Sequence, residues 1–197
     1  MGKLTVTTFV TLDGVQQGPG HQAEDTSGGF DLGGWVPPHA DEVMGGKMAE
    51  WYGRADAFLL GRRTYENFAG FWPTVTDPND PIAAALNGRP KHVVSTTLTS
   101  SDWADTSFID GDVAAAVRDL KKRYDGEIQV HASATLLKTL IEHDLVDEYR
   151  LMVFPVILGK GRKLFADGVP PRTVKHVSTD VTGNGVVIHV FEKSEAE

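Results

Sequence analysis

The stretch FLLGRRTYENFAG, residues 58–70, runs from an apolar segment into a glycine, two arginines, a threonine and a segment of helical character. A buried strand that stops at Gly61 and passes directly into a helix leaves several backbone N–H groups unpaired and places the positive end of the helix dipole at the turn. Such a turn attracts anions, and the adjacent guanidinium groups of Arg62 and Arg63 make phosphate the leading candidate. The same residues also fit an ordinary turn followed by solvated surface arginines. The rest of the chain decides between these readings.

Working outward, KLTVTTFVTLDG (3–14) alternates β-branched and aromatic residues and stops at Asp-Gly, as a strand entering a turn should. Residues 16–38 follow as a long Gly-, Pro- and Gln-containing loop with Phe30 and Trp35 as aromatic anchors. HADEVMGGKMAEWYGRAD (39–56) has near-helical apolar spacing, AFLLG (57–61) is a short buried strand and RTYENFAGF a short helix. TDPNDPIAAALNGRP reads as a loop with at most a brief helix, and KHVVSTTL (91–98) as a strand. GDVAAAVRDLKKRY (111–124) is an amphipathic helix, EIQVHAS (127–133) a strand and ATLLKTLIEHDL (134–145) a helix. DEYRLMVFPVIL (147–158) and GVVIHVFEK (185–193) close the chain as strands with no helix between them, open to antiparallel pairing. This alternation predicts a largely parallel sheet covered on both faces.

The 197 residues, 41% apolar and 23% charged, suit one soluble globular domain without an evident linker. A net charge of −8 argues against a general nucleic-acid binder, so any anionic ligand needs a local site. The absence of cysteine excludes disulfides, thiolate metal sites and cysteine nucleophiles. No signal core and no apolar stretch of membrane-spanning length is present, which makes a cytoplasmic protein without membrane partners the expectation. The dinucleotide G-x-G-x-x-G, the P-loop and the G-x-S-x-G elbow are all missing, and the seven histidines lack zinc-ligand spacing, so no metal site is expected. What remains are three polar strand ends, at Gly61–Thr64, Ser95–Thr97 and His131–Thr135, which an open α/β sheet can converge on one extended ligand.

TLDGV, FLLGRRTYENFAGFWP, KHVVSTTL and IQVHASATLLKTLIEHDLVDEYRLMVFPVILGKGRKLF, in this order, resemble the dihydrofolate-reductase-like family over about residues 3–192. The likeness is strongest to the branch related to the reductase domain of the riboflavin-biosynthesis deaminase-reductase. It implies an α/β fold with a mixed, mainly parallel twisted sheet, helices on both faces and antiparallel C-terminal strands, NADPH as cofactor and a homodimer. Carried over by position, Gly61, Arg62, Arg63 and Thr64 form the first phosphate-binding turn, and Ser95 and Thr96 lie beside the adenosine portion. Ala132, Ser133, Ala134, Thr135 and Leu136 match the turn whose helix N-terminus takes the pyrophosphate. Where relatives commonly carry glycine this chain has Ala132, and a positive φ there would strain or shift the site.

For the reacting end, Asp13 and Asp41 are the candidate substrate-side acids, with Glu42 next. Asp13 also reads as half of a tight Asp-Gly turn, and Asp41 and Glu42 as acids favourable to a helix start. Trp35, Phe71 and Trp72 could stack on a flat heterocycle or anchor the core. The resemblance makes the loop after the 147–158 strand a border of the substrate pocket, with Phe154 and Gly159 as candidates; a solvated basic hairpin is the other reading. The expectation is an NADPH-dependent reductase of a small pterin-like or pyrimidine substrate. Alternatives are the phosphoribosylaminouracil reductase step of riboflavin biosynthesis, for which the chain has no deaminase partner domain, dihydrofolate reductase, whose acid spacing does not match, and a non-catalytic binder.

Overall fold

Strand β1 (Lys3–Thr11) is buried on both faces, which places it inside a covered sheet. In the computed structural model, which describes residues 1–165 and 167–194, β1 pairs in parallel with β5 (Glu127–His131) on one side and β6 (Glu148–Phe154) on the other. Beyond β5 lie β2 (Ala55–Gly61), β3 (Lys91–Val94) and β4 (Thr106–Ile109), all parallel. Beyond β6, β8 (Val187–Lys193) and β7 (Val174–Val181) run antiparallel, giving the order β4-β3-β2-β5-β1-β6-β8-β7. The mixed, mainly parallel sheet expected from the sequence is therefore the one observed.

Helices α1 (Glu42–Gly53), α2 (Arg62–Phe71) and α3 (Pro81–Gly88) pack on one face through Trp51, Tyr65 and Leu86. Helices α4 (Val113–Arg123) and α5 (Ala134–Glu142) cover the other through Val117, Leu120, Leu137 and Leu140. Full burial of one such leucine contributes roughly 1.5–3 kcal/mol, so the two apolar layers hold the sheet between them. Two cationic side chains are fully buried, Lys91 and Arg150. Arg150 is 1% exposed and donates to Glu127 at 2.8 Å and Glu148 at 2.5 Å, tying β6 to β5.

Several boundaries depart from the sequence reading. The long apolar run 147–158 reads as a strand near the end of the sheet with an uncovered edge, but β6 is interior, between β1 and β8, and the edges are β4 and β7. Neither edge strand was foreseen: β4 has four residues, and all eight of β7 are exposed, so neither carries the apolar alternation by which strands are read. The 76–90 loop contains an eight-residue helix, α3, started by Pro81 behind an Asp80 cap. Strand β3 ends at Val94, because Ser95 closes a turn by accepting the N–H groups of Thr97 and Leu98. No helix among the described residues is long and apolar enough to cross a membrane.

Candidate functional site

Because β3, β2 and β5 are adjacent and parallel, their C-terminal ends emerge on one edge of the sheet, where ligands bind in open α/β folds. Strand β2 ends at Gly61, β3 is followed by Ser95 and Thr96, and β5 by Ala132 and Ser133. All of these, with Arg62, Arg63, Thr64, Ala134, Thr135 and Leu136, line one cavity of about 550 Å³. The structure thus gathers every residue expected at the phosphate end into one place. A second cavity of about 560 Å³, between Ile141, Tyr149 and Arg172, involves none of these strand ends.

Helices α2 and α5 start at this cavity, and their first turns are unlike the others. Asp41, Asp80 and Asp112 cap α1, α3 and α4 by accepting backbone N–H groups at 2.9 to 3.0 Å. Gly61 and Ser133, at the starts of α2 and α5, provide no side-chain cap, so the N–H groups there remain open to a ligand. Ala132 and Ser133 both lie in the left-handed region, at φ +51° and +66°. Two such residues in succession turn the chain sharply from β5 into α5, at a cost of roughly 1–2 kcal/mol each.

The Ser133 hydroxyl locks the two turns together. Its Oγ accepts the Gly61 N–H at 3.1 Å and lies 2.7 Å from Thr64 Oγ1. Ser133 Oγ also lies 3.3 Å from the His131 carbonyl, and either hydroxyl can donate in the Thr64–Ser133 contact. Arg62 turns along the surface of α2, held by both carboxylate oxygens of Glu66 at 2.9 Å, whereas Arg63 reaches the Ser27 hydroxyl at 3.3 Å. Among the described residues, no group of three or more His, Asp or Glu could hold a metal ion.

A family model described as the RibD C-terminal domain matches residues 2–188. The chain belongs to the RibD C-terminal domain family. The uncharacterized protein YyaP of Bacillus subtilis is 29% identical over 184 residues, 92% of this chain and 90% of its own length. A solved structure from Shewanella sp. PV-4, provisionally named a riboflavin biosynthesis protein, superposes with a TM-score of 0.72 at 19% identity, covering 98% of this chain and 99% of the other. The diaminohydroxyphosphoribosylaminopyrimidine deaminase/5-amino-6-(5-phosphoribosylamino)uracil reductase of Thermotoga maritima superposes at 0.64 with 14% identity. This chain, 98% covered, spans 57% of that longer one. The resemblance seen in the sequence is thereby confirmed at the level of family and fold.

On this RibD C-terminal domain the residues expected at the substrate end lie outside the cavity lining. Asp13 accepts from Thr11 Oγ1 at 2.6 Å and from the Gly159 and Leu158 N–H groups at 2.7 and 3.2 Å, joining the end of β1 to the segment after β6. The Thr11 hydroxyl bond, aided by those N–H groups, holds its carboxyl below the usual range. Asp41 caps α1 at Met44 and accepts the Asn184 N–H at 3.2 Å, and the Met44 N–H lowers its pKa in turn. Trp35 is buried, donates to the Gln17 carbonyl at 3.0 Å and meets Phe154 edge-on at 5.3 Å. Phe154, expected beside the substrate, is fully buried in the core, and Trp72 packs against Phe71 and Phe68. Gly159, at φ +73°, forms the turn that presents its N–H to Asp13.

Gln16, Gln17 and Asp25 are among the cavity residues that the sequence reading did not single out, and Arg162 reaches them from the loop read as a border of the pocket. Gln17 donates to the Ser27 and Asp25 carbonyls at 3.0 and 3.2 Å and accepts the Arg162 N–H at 3.0 Å, fastening the 16–36 loop to the 155–165 segment. Asp25 and Arg162 form an ion pair at the cavity mouth, and Gln16 lines its wall. The available signal was a Gln-Gln pair placed directly between a strand end and Gly-Pro-Gly, where an amide serves two loops at once.

Proposed function

We propose that this chain is an NADPH-dependent reductase acting on a small heterocyclic substrate of the pyrimidine or pterin class. One observation carries the reading: of the three helices whose first residues line the cavity, α2 and α5 lack side-chain caps and only α4, which begins at Val113, is capped by aspartate. Open N–H donors at two helix starts that share one cavity fit a diphosphate bridge. The N–H groups of residues 134–136 would hold the pyrophosphate, Ser95 and Thr96 would flank the adenosine, and Arg62 would exchange Glu66 for the 2′-phosphate. A bound nicotinamide supplies hydride. Asp13 and Asp41 accept backbone N–H groups outside the cavity lining, so this scheme gives them no contact with the substrate.

Members of the structural neighbourhood carry reductase names, which supports the reaction class. The phosphoribosylaminouracil reductase step is the more specific form of the same reading. A non-catalytic binder has one supporting feature, the Ala132 methyl at the pyrophosphate turn.

Calorimetry with NADPH and NADH tests the cofactor, and loss of nicotinamide absorbance with a panel of pterins and pyrimidines tests the reaction. NADPH should bind at least about tenfold tighter than NADH, the worth of one charge-assisted contact. Arg62→Ala should erase most of that difference and leave NADH binding nearly unchanged. Equal affinity for the two cofactors in the unmodified protein sinks the 2′-phosphate role, and absence of turnover across the panel favours the binder.

A further inference from the structure

Beside the diphosphate cradle, the cavity mouth holds a charged cluster that the proposed function leaves unused. Arg162, from the segment after β6, pairs with the Asp25 carboxylate and donates from Nη1 to Ser27 Oγ at 2.9 Å. Arg63, from the first turn of α2, donates to the same oxygen at 3.3 Å. Ser27 in turn donates from Oγ to Asp25 at 2.6 Å, and its N–H does so at 3.1 Å. Two guanidinium groups from separate elements therefore converge on one hydroxyl, balanced by a single carboxylate. The neighbouring Glu24 accepts the Gly20 N–H at 2.5 Å and makes no ion pair with a described residue, and Glu66 pairs with Arg62.

We propose that Arg63 and Arg162 form an oxyanion subsite at the mouth of the cavity, filled by the chain's own Asp25, and that a phosphate-class group of the ligand enters by taking Asp25's place. Charge matching favours the exchange. Asp25 supplies one negative charge to two cations, whereas a phosphate monoester brings about −1.5 to −2 and three acceptor oxygens. Arginine's planar fork suits this geometry.

The loop is built to release Asp25 without dismantling the fold. Phe30 is 4% exposed and lies under Gly161, where a Cβ would come within 2.8 Å of its ring, and Trp35 is pinned to the Gln17 carbonyl. Between these anchors and Gly18, residues 20–23, 26, 28 and 29 are half-buried or exposed, and Gly28 and Gly29 sit at φ +69° and +74°, conformations open to glycine at little cost. The Gln17 amide, bonded to the Asp25 and Ser27 carbonyls, holds the backbone of this segment, so the exchange needs only the Asp25 side chain to turn away.

This inference rests on the cavity being the ligand site, and inorganic phosphate is the probe because it needs no cofactor assignment. Calorimetric titration of the full chain is compared with Asp25→Asn, Arg162→Ala and the double variant, all at surface positions and each checked for native circular dichroism. Asp25→Asn should bind phosphate at least about fivefold tighter, because the internal competitor is weakened. Arg162→Ala should bind it more weakly, and Asp25→Asn should bring no gain once Arg162 is absent. The background of phosphate binding at residues 132–136 is common to all four proteins and cancels. An unchanged affinity in Asp25→Asn, or a gain that survives the loss of Arg162, overturns the proposal. Should the phosphate cycle behave as expected while NADPH binds none of the four proteins, the subsite stands and the cofactor reading falls. NADPH binding with a flat phosphate cycle has the opposite meaning.

Discussion

Thr64 and Ser133 meet hydroxyl to hydroxyl at 2.7 Å across 69 positions of sequence. The contact joins the turn after β2 to the turn after β5, so the two uncapped helix starts cannot move independently. The donors that face the cavity are held in place before a ligand arrives, which lowers the ordering cost of binding.

Removing that clamp gives the first prediction. Ser133→Ala loses the acceptor for the Gly61 N–H and the partner of Thr64, a net loss of about 1 kcal/mol per hydrogen bond. NADPH affinity should fall roughly fivefold to thirtyfold, measured by calorimetry. An unchanged affinity would show that the two turns hold their positions without the hydroxyl.

Ala132 offers a change of opposite sign. At φ +51° its side chain costs roughly 1–2 kcal/mol, and glycine returns about 0.5–1 kcal/mol of that as chain entropy. Ala132→Gly should therefore raise stability by about 0.5–1 kcal/mol in urea denaturation and tighten NADPH binding. A destabilised variant would mean that the methyl packs well enough to outweigh its backbone strain.

Stability should fall as the medium is acidified below pH 6.5, before the carboxylates titrate. Burial, with the nearby Arg150 charge, pushes His131 down to about 3, and burial with Arg123 pushes His92 down to about 4. In the unfolded chain both take up a proton near 6.5, so between about 4 and 6.5 the unfolded state binds more protons and gains on the native one. For His131, stacked on Tyr52 at 4.4 Å and 4% exposed, the slope approaches about 1.4 kcal/mol per pH unit. Urea midpoints between pH 7.5 and 5 should fall accordingly, and His131→Phe should remove about half of the dependence, leaving the His92 share. A stability independent of pH across that range would place a protonated imidazole comfortably in the core.

Self-association is expected at β7. Its eight residues are all exposed, it pairs only with β8, and Val174, Val177 and Val181 are 38%, 48% and 65% exposed. An unpaired edge with exposed valines invites a second copy. Light scattering at micromolar concentration should give a dimer, and Val181→Lys should shift it towards monomer. A monomer mass for the unmodified chain would leave the edge uncovered by its own kind.

Much of this was legible along the chain. The strands that became β1, β2, β5 and β6 carry buried β-branched and aromatic runs, and α4 and α5 carry helical apolar spacing, because those patterns arise from each element burying its own face. The difference between helices capped by Asp41, Asp80 and Asp112 and helices started by Gly61 and Ser133 is also local, since a cap bonds within three residues. Asp13 illustrates the limit. Its place after β1 was readable, but its partners Leu158 and Gly159 come from the far end of the chain, and that pairing makes it a staple between loops.

The sequence by itself determined the interior strands β1, β2, β5 and β6, the amphipathic helices α4 and α5, and the residue types at the strand ends. Only the tertiary structure decided that β5 inserts between β2 and β1, the step that carries Ser133 onto Gly61 and Thr64. It likewise drew Phe154 and Trp35 into the core, left β7 at the edge and set Arg162 on Asp25. The reason is one of range. Propensity, periodicity and capping act over a few residues, whereas strand order is chosen by which arrangement buries both faces of the sheet at once, a condition on the whole chain that no single segment carries.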